Sequence, residues 1–495
     1  MDLAKIYGHS KMTLDRLLRG GSLRAKATRG AAFLGGGNVA EQATRFARNM
    51  LLTRLLAPSA FGAMAIVMSS AAIVGALTEV GLRAAVVQNP RGGEKAYFDA
   101  GWWMGLGRSL GMYIIIFAMA PLVAHFYGNG ELSALLRVTL LGSLFDGAMS
   151  PRSILLQKEM KFGRWMAISN GGAVCGVVLT VILSFVLRDV WALAIGYCSE
   201  NIFRCLLSYI LCPGLPSLAF DRLAARELFK YSRAAFGLSF LNLIFARTDI
   251  FVLGKLYSPT TLGLYAMAVA LVQTPSSFLT TMLGQTLFPA FAHIQDNQDR
   301  VNRILIEVTS WLILLGLPCV AVIFLCGHSL LSVAYGARYM TGAAPLAVAA
   351  VVVFLNVVNV AITCAFSGIG RPELHRRAVA ASAIVMMVVI YPSCRLFGVV
   401  GGQIAALVAI SVSYLLQVTR MCGLTGLNLL RYGRAFVPAI LVSGGLLTVG
   451  FGARYLGLAT RPVPNIALGA GACVIAYALC VPAMLRMRQD REGGL

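Results

Sequence analysis

The sequence predicts an all-α integral membrane protein with about 14 transmembrane helices, built as two parallel-repeat six-helix lobes plus two C-terminal helices. Three observations lead to this prediction: apolar segments recur from end to end, basic residues alternate between loops, and one turn sequence occurs twice. Of the 495 residues, 58% are hydrophobic and 13% are charged, whereas soluble proteins carry roughly 25% charged residues. The whole chain is therefore predicted to be one membrane domain.

The apolar segments are each about as long as the roughly 20 residues that a helix needs to cross a bilayer. Only short loops separate them, so no soluble domain interrupts the series. The first segment follows a polar, basic tail and is long, which favours a retained span over a cleaved signal peptide. The predicted spans are 30–54, 60–82, 98–124, 132–155, 163–187, 190–211, 228–254, 260–287, 303–326, 343–367, 375–396, 399–420, 434–456 and 464–486.

The distribution of Lys and Arg orients the spans. The amino-terminal tail, every second loop and the carboxy-terminal tail together hold 29 of the 42 basic residues. The opposite side holds seven, namely Arg54, Arg188, Lys255, Arg338, Arg395, Arg454 and Arg461. Because basic loops stay in the cytoplasm, we predict a multi-pass protein of the bacterial inner (plasma) membrane with both termini cytoplasmic. The same rule explains the net charge of +22, so nucleic acid is not expected as a partner.

The sequence gives no indication of an enzyme, a metal site or a cofactor. Its eleven cysteines are scattered singly and its five histidines are isolated, so no metal-binding spacing arises. No GxSxG, HExxH, Walker A or DxD pattern stands in a loop that could host catalysis. We therefore predict a transporter that uses an ion gradient or the gradient of its own substrate rather than ATP.

One turn sequence occurs twice along the chain, at an offset of 201 residues. Residues 54–65 read RLLAPSAFGAMA and residues 255–266 read KLYSPTTLGLYA. In each copy a Pro that can open a helix precedes a Gly that lets two helices approach closely. Six spans, an even number, separate the copies, so two parallel lobes with a substrate cavity between them are expected. The predicted parts are a cytoplasmic tail (1–29), an N-lobe (30–211), a C-lobe (228–420), appended spans (434–486) and a second cytoplasmic tail (487–495).

Ionisable residues within the spans mark the predicted functional site, because each costs at least about 2.5–3.5 kcal/mol at the centre of a membrane helix. Glu41, Arg45 and Arg48 are spaced i, i+4 and i+7, which places them on one face of the first span. Arg binds phosphate through a fork of donors and stays charged in the cell, so the arginines favour a cationic cavity for an anionic headgroup. The predicted substrate-binding residues are Arg45, Arg48, Arg247, Arg108 and Arg204.

A structural explanation of some of these charges stays open. Glu200 and Arg204 have the spacing of an intrahelical pair whose charges cancel, and so do Glu41 and Arg45. Other charges near span ends could reach out to the membrane surface; these are Glu79, Arg108 and Asp249. The structural explanation is favoured for Arg137, Asp146 and Glu79.

Two further roles are assigned from residue type. A carboxyl group inside the membrane can take up a proton and reset a transport cycle, which makes Glu41 and Asp249 the candidates for ion coupling. Glycine runs and prolines bend helices, so Gly36 in the first span and Pro275 in the eighth are the predicted hinges. Close helix packing is the alternative role for both residues.

Several segments within the first 300 residues are typical of one protein family. They are RLLAPSAFG (54–62) with GLRAAVVQ (81–88), LLQKEMKF (155–162), DIFVLGKL (249–256) with LGLYA (262–266), and LFPAFAHIQ (287–295). Together they resemble the polysaccharide transporter branch of the multidrug/oligosaccharidyl-lipid/polysaccharide exporter superfamily, which includes the Wzx-like oligosaccharide flippases. The resemblance implies two parallel six-helix lobes around a cationic cavity. It also implies transfer of undecaprenyl-diphosphate-linked oligosaccharides between leaflets by alternating access.

The expected function is therefore that of a flippase or exporter of polyprenyl-diphosphate-linked oligosaccharide for lipopolysaccharide or exopolysaccharide biosynthesis. The expected partners are the lipid-linked substrate, membrane lipids and polysaccharide polymerase or assembly proteins. Two alternatives stay open: an ion-coupled small-molecule or drug antiporter of the same superfamily, and a non-transporting scaffold of a polysaccharide assembly complex. A drug antiporter would favour carboxylates over arginines in its cavity.

Overall fold

The computed structural model describes residues 23–78, 82–217, 221–232, 236–434 and 436–455, together with 466, 467, 469 and 471. Throughout these residues the chain is helical and forms no strand, and eight helical stretches are long and apolar enough to cross a membrane. The prediction of an all-α, multi-pass membrane protein is thus confirmed. Most of the predicted span 464–486 and of the basic tail 1–29 lies outside the described residues, as does Glu79.

Helices lie along the predicted spans from 30–54 to 434–456, although span 132–155 runs past a helix that ends at Gly147 and span 228–254 begins in a separate helix, Arg222–Ser232. The first half of the chain forms α1 (Leu23–Leu55), α2 (Pro58–Thr78), α3 (Leu82–Gln88), α4 (Lys95–Tyr127), α5 (Glu131–Gly147), α6 (Ser153–Lys158), α7 (Phe162–Leu187), α8 (Val190–Leu211) and α9 (Arg222–Ser232). The second half forms α10 (Phe236–Leu256), α11 (Pro259–His293), α12 (Gln298–Tyr335), α13 (Ala343–Gly368), α14 (Pro372–Phe397), α15 (Gly401–Thr425), α16 (Leu429–Arg434) and α17 (Val437–Tyr455). The short helices α3, α6, α9 and α16 all lie in or beside loops of the side that is predicted to be rich in Lys and Arg.

Two helices run well beyond the segments that hydropathy alone predicts. α11 has 35 residues and α12 has 38, so each is longer than about 50 Å, against a hydrocarbon core of about 30 Å. Apolar side chains are required only inside the hydrocarbon, which is why the predicted eighth and ninth spans stop short of the helix ends. Polar caps begin both helices: Ser258 Oγ accepts a hydrogen bond from the N–H of Thr261 (3.3 Å), and Asn297 Oδ1 accepts one from the N–H of Arg300 (2.9 Å).

The described residues form two compact units. The first unit holds the described residues up to Leu56 and those from Val67 to Phe240. The second unit holds Ala57 to Ile66 and the described residues from Leu241 onward. The beginning of α2 therefore packs as part of the second unit, although it follows α1 directly in the chain.

Two segments that carry the family resemblance meet in the first unit. Lys158, at the end of α6, donates hydrogen bonds from Nζ to the carbonyl oxygens of Asn89 (2.6 Å) and Pro90 (3.2 Å), just after α3. Beside this contact, Arg91 donates two hydrogen bonds to the Glu94 carboxylate, from Nε (2.9 Å) and Nη2 (3.0 Å), and this lowers the pKa of Glu94. These charged side chains hold the connection between α3 and α4.

A third segment of the resemblance supplies the core of the second unit. Phe291, near the end of α11, is fully buried together with Leu305 of α12, Phe366 of α13 and Met421 of α15. One apolar core thus includes residues of four helices, and burying Phe291 in it contributes roughly 1.5–3 kcal/mol of hydrophobic stabilisation. The core therefore fixes one end of the long helix α11.

The two copies of the repeated turn contact each other within the second unit. A Cβ added to Gly62 would overlap the carbonyl group of Pro259, and a Cβ added to Gly263 would overlap that of Pro58. In both cases the backbone nitrogen of the opposite glycine would lie 3.0 Å from the added atom. The contact is thus reciprocal, as expected for two copies of one structural element, and neither glycine leaves room for a side chain.

We expect Gly62→Ala and Gly263→Ala each to destabilise the protein, because the added methyl group must push the two turns apart. Overpacking of this kind typically costs about 1–3 kcal/mol, which thermal unfolding of the purified protein in detergent would detect. Since both substitutions break the same contact, the double variant should lose less stability than the sum of the single losses.

Gly107→Ala is the matched control, because nothing lies within 4 Å of a Cβ added there. Strictly additive losses, or an equal loss in the control, would contradict a shared contact between the two turns.

Candidate functional site

The charged residues of the first span meet a second pair of charges inside the first unit. α1 presents Glu41, Arg45 and Arg48 on one face, and α8 presents Glu200 and Arg204 one turn apart. We term these five side chains the charge cluster. Within α1, Arg45 Nη2 donates a hydrogen bond to Glu41 Oε1 at 3.0 Å, as the spacing predicts.

Glu200 is the centre of the charge cluster. Its Oε1 lies 2.8 Å from Nη2 of Arg204 and 3.3 Å from Nη2 of Arg45, and its Oε2 lies 3.9 Å from Nη1 of Arg48. Nη2 of Arg204 is also 3.5 Å from Oε1 of Glu41. Each carboxylate therefore contacts guanidinium groups from both helices. The sequence pattern pairs Glu200 only with Arg204 and does not reveal its contacts with α1.

The charge cluster is unevenly buried. Only 5% of the Glu200 side chain is exposed, whereas the side chains of Arg45, Arg48 and Arg204 keep 34%, 22% and 20% of their surface. Three guanidinium groups face two carboxylates, so the cluster carries one surplus positive charge when all five groups are ionised. Among the described residues, Nε of Arg48 is buried without a hydrogen-bond partner. A partly exposed cluster with a surplus cation can bind an anion through its guanidinium groups.

Close helix packing sets the position of the charge cluster. A Cβ added to Gly176 of α7 would lie 2.8 Å from the Cα of Glu200, so the backbones of α7 and α8 touch at the depth of that carboxylate. α7 is also tied to α1, because Asn170 Nδ2 donates a hydrogen bond to the carbonyl oxygen of Gly37 (3.1 Å). α7 therefore braces both of the helices that carry the cluster.

The remaining predicted arginines lie on other helices. Arg108 is half-buried on α4 of the first unit, and Arg247 is exposed on α10 of the second. Their roles in substrate binding stay predictions. Arg137, for which a structural role was favoured, places its guanidinium 4.2 Å from the ring centre of Phe117, a stabilising cation–π contact.

Asp249 belongs to a separate polar group inside the second unit. Gln403 Nε2 donates to Tyr265 Oη (2.6 Å), and Tyr265 Oη donates to Asp249 Oδ2 (2.6 Å). The three side chains come from α15, α11 and α10, and all are buried. In the described part of the chain, no cation lies within ion-pair distance of Asp249. The sequence marks Asp249 by its charge, but an isolated Tyr or Gln in an apolar span carries no comparable signal.

A third polar group joins α13, α14 and α15. Gln417 Nε2 donates to Asn359 Oδ1 (2.9 Å), while Gln417 Oε1 lies 3.3 Å from His375 Nδ1 and 3.4 Å from Thr363 Oγ1. This group satisfies polar atoms of three packed helices. Across the described ranges, no set of three His, Cys, Asp or Glu side chains is placed to hold a metal ion.

The two predicted hinges lie in continuous helices. Gly36 is exposed in α1 and nothing lies within 4 Å of a Cβ added there, whereas a Cβ on the neighbouring Gly37 would overlap Met166. Close packing therefore accounts for Gly37 but not for Gly36. Pro275 is exposed in α11, which continues past it to His293. Bending at Gly36 and Pro275 stays a prediction.

A known protein family and several of its members are similar in sequence to this chain. The family model described as "Polysaccharide biosynthesis protein" matches residues 51–345, which is more than half of the chain. The chain is 20% identical over 410 residues to the lipopolysaccharide biosynthesis protein WzxC of Escherichia coli (strain K12), covering 80% of this chain and 79% of WzxC. It is 23% identical over 299 residues to the succinoglycan biosynthesis transport protein ExoT of Rhizobium meliloti (strain 1021), covering 60% of each.

A solved structure shares the fold over nearly the whole chain. The lipid II flippase MurJ, in an inward closed conformation, matches with a TM-score of 0.71 over 92% of this chain and 100% of its own. At 10% sequence identity this likeness concerns the fold alone. The family resemblance of the sequence is confirmed by the family model and the relatives: the chain belongs to the polysaccharide biosynthesis protein family, the polysaccharide transporters of the multidrug/oligosaccharidyl-lipid/polysaccharide exporter superfamily.

Proposed function

We propose that this protein is a flippase that moves polyprenyl-diphosphate-linked oligosaccharide from the cytoplasmic to the outer leaflet of the bacterial inner membrane. The product would serve lipopolysaccharide or exopolysaccharide biosynthesis. The observation that carries the proposal is the surplus positive charge of the partly exposed charge cluster. The relatives WzxC and ExoT, which act in lipopolysaccharide biosynthesis and succinoglycan transport by name, support the substrate class, and the fold is shared with a lipid II flippase.

The arginines are suited to the anionic part of such a substrate. In the proposed complex the diphosphate lies against Arg45, Arg48 and Arg204, while the prenyl tail stays in the lipid. Each guanidinium can donate two parallel hydrogen bonds to a phosphate. Because donor and acceptor are charged, each such bond is roughly twice as strong as a hydrogen bond between neutral groups. Arg108 on α4 and Arg247 on α10 are two further proposed substrate-binding residues. A binding site of this sign disfavours the cationic substrates of a drug antiporter.

The proposal includes the predicted architecture. It has about 14 spans in an N-lobe (30–211), a C-lobe (228–420) and appended spans (434–486), with both termini in the cytoplasm. The reciprocal contact of the repeated turns supports two copies of one structural unit. Alternating access would expose the charge cluster first to the cytoplasm and then to the opposite side, with Gly36 and Pro275 as the points of bending.

We further propose that a proton resets the cycle through Glu41 or Asp249. Protonation of Glu41 would raise the surplus charge of the cluster from one to two and weaken its contacts with Arg45 and Arg204, so it would change substrate affinity. Protonation of Asp249 would instead neutralise a buried charge that accepts a hydrogen bond from Tyr265, which is in turn bonded to Gln403. It would therefore change the packing of α10, α11 and α15. The two candidates therefore act on different steps.

Replacing both Arg45 and Arg48 with Ala should abolish glycan transport while the protein still reaches the membrane. Two hydrogen bonds to charged groups contribute about 3–6 kcal/mol together, so transport should fall by a factor of roughly one hundred or more. The assay is movement of a fluorescent polyprenyl-diphosphate oligosaccharide across proteoliposomes that contain the purified protein.

The matched control is Arg376→Ala with Arg377→Ala, because both side chains are exposed on α14 and the same two charges are lost. Arg45→Lys keeps the charge but removes the fork, and we expect it to retain part of the activity. Full transport by the Arg45/Arg48 double variant would rule out the charge cluster as the binding site.

The two coupling candidates can be separated by Glu41→Gln and Asp249→Asn, which keep the size of each side chain and remove its proton. If Asp249 carries the proton, Asp249→Asn should lose the stimulation of transport by an imposed pH gradient, and Glu41→Gln should keep it. If Glu41 carries the proton, the pattern reverses. Stimulation that survives in both variants would exclude proton coupling through either carboxyl group.

Gly36→Ala should slow transport without destabilising the protein. Ala has space at this position and stiffens the helix by about 1 kcal/mol relative to Gly, which corresponds to a rate roughly fivefold lower if α1 must bend there. Gly111→Ala on α4 is the control, since an added Cβ meets nothing within 4 Å. Equal rates in the wild type and both variants would contradict a hinge at Gly36.

A further inference from the structure

The loop helix α9 is fixed to the first unit on one face. Ala224 and Leu228 are buried in an apolar cluster with residues of α3 and α4. On the flank of this contact, Tyr97 Oη donates a hydrogen bond of 2.7 Å to Glu227 Oε2. These contacts hold α9 in the first unit and fix its rotation about its own axis. The side chains on its opposite face therefore have a fixed direction.

The opposite face of α9 combines apolar and basic side chains. Leu223 and Phe229 are 62% and 53% exposed, and Arg222, Arg226 and Lys230 are exposed as well. Arg226 and Lys230 are one helical turn apart, so their charges lie side by side. In water this arrangement would leave two large apolar side chains unburied next to a local excess of positive charge.

The loop helix α16 repeats this arrangement in the second unit. Tyr432 is buried and its Oη lies 2.7 Å from Tyr414 Oη of α15, which fixes the helix in place. Leu430 is 75% exposed, and Arg431 and Arg434 beside it are exposed too. A short anchored helix thus again presents an apolar side chain and two cations together.

The two helices are related by the same offset as the repeated turn. Residues 228–233 read LFKYSR and residues 429–434 read LLRYGR, 201 positions apart. This offset aligns Phe229 with Leu430 and Lys230 with Arg431, which are the exposed apolar and basic side chains of each helix. The combination therefore occurs at equivalent positions of both repeats, independently of the charge cluster.

We propose that α9 and α16 are a pair of equivalent binding sites for anionic phospholipid at the cytoplasmic surface of the membrane. Phe229 and Leu430 enter the boundary of the acyl chains, and Lys230 and Arg431, with Arg226 and Arg434, bind the phosphate of the headgroups. A membrane surface satisfies both properties at once, because apolar side chains find hydrocarbon there within a few ångströms of negative charge. This inference depends on the proposed cytoplasmic orientation of the two loops and does not depend on which substrate is transported.

The test uses the full-length protein in nanodiscs of phosphatidylcholine alone or mixed with phosphatidylglycerol. Phosphatidylglycerol should raise the thermal midpoint of unfolding, and mass spectrometry of the released protein should detect retained phosphatidylglycerol. In the variant R226Q/K230Q/R431Q/R434Q, the preference for phosphatidylglycerol should fall by roughly tenfold or more, and high salt should weaken binding to the wild type.

Matched variants separate these sites from the net charge of the protein. R300Q/R303Q/R376Q/R377Q removes four exposed arginines from other basic loops and should keep the wild-type preference. F229S/L430S changes no charge and no buried side chain, so it should fold normally and still lose phosphatidylglycerol. The proposal is overturned if either the basic variant or F229S/L430S retains phosphatidylglycerol like the wild type, or if the control variant loses it to the same extent.

Discussion

Inside a bilayer every charge must find its partner within the protein, and this constraint organises the first unit around Glu200. Its carboxylate is almost fully buried and is balanced by arginines from α1 as well as from its own helix α8. α1 therefore cannot slide or turn against α8 without breaking the contacts of Glu200 with Arg45 and Arg48, which leaves Arg204 as its one partner in the cluster. A motion that separates the two helices needs a replacement for the broken contacts. An incoming diphosphate can pair with the arginines in place of the carboxylates. A proton can neutralise a carboxylate that has lost its arginine.

The repeat places a polar group of different composition at the equivalent position of the second unit. At the offset of 201 residues, Arg48 of the charge cluster corresponds to Asp249. In the described residues Asp249 is buried with no ion pair of its own; it accepts a hydrogen bond from Tyr265, which is bonded to Gln403, and the charge of Arg247 acts on it from the same helix. The equivalent position thus carries a cation among ion pairs in one unit and an anion among neutral donors in the other. If Asp249 rather than Glu41 carries the proposed proton, the charge cluster of the first unit would bind the anionic substrate and the second unit would respond to the proton.

Much of the fold could be predicted from the sequence, because hydropathy and loop charge reflect the membrane directly. The ends of α11 and α12 could not, since a helix needs apolar side chains only within the hydrocarbon. The spacing of Glu41 and Arg45 revealed one face of α1, but no local pattern encodes a contact with Glu200, which lies 155 residues away. Gly36 and Gly37 look alike in sequence, and only the position of Met166 shows that one is packed and the other is free.

The sign of the charge cluster separates the competing functions more sharply than the fold does. Five ionisable side chains in a membrane unit are unfavourable, at about 2.5–3.5 kcal/mol each before pairing, and a scaffold could be built from apolar residues without them. A drug antiporter would use such groups to attract cations, which requires more carboxylates than arginines. Here the arginines are in excess, Arg45 is the most exposed member of the cluster, and Glu200 is the most deeply buried one. A cluster with a surplus of partly exposed cations is suited to receive an anion, and a diphosphate is large enough to contact several of its guanidinium groups at once.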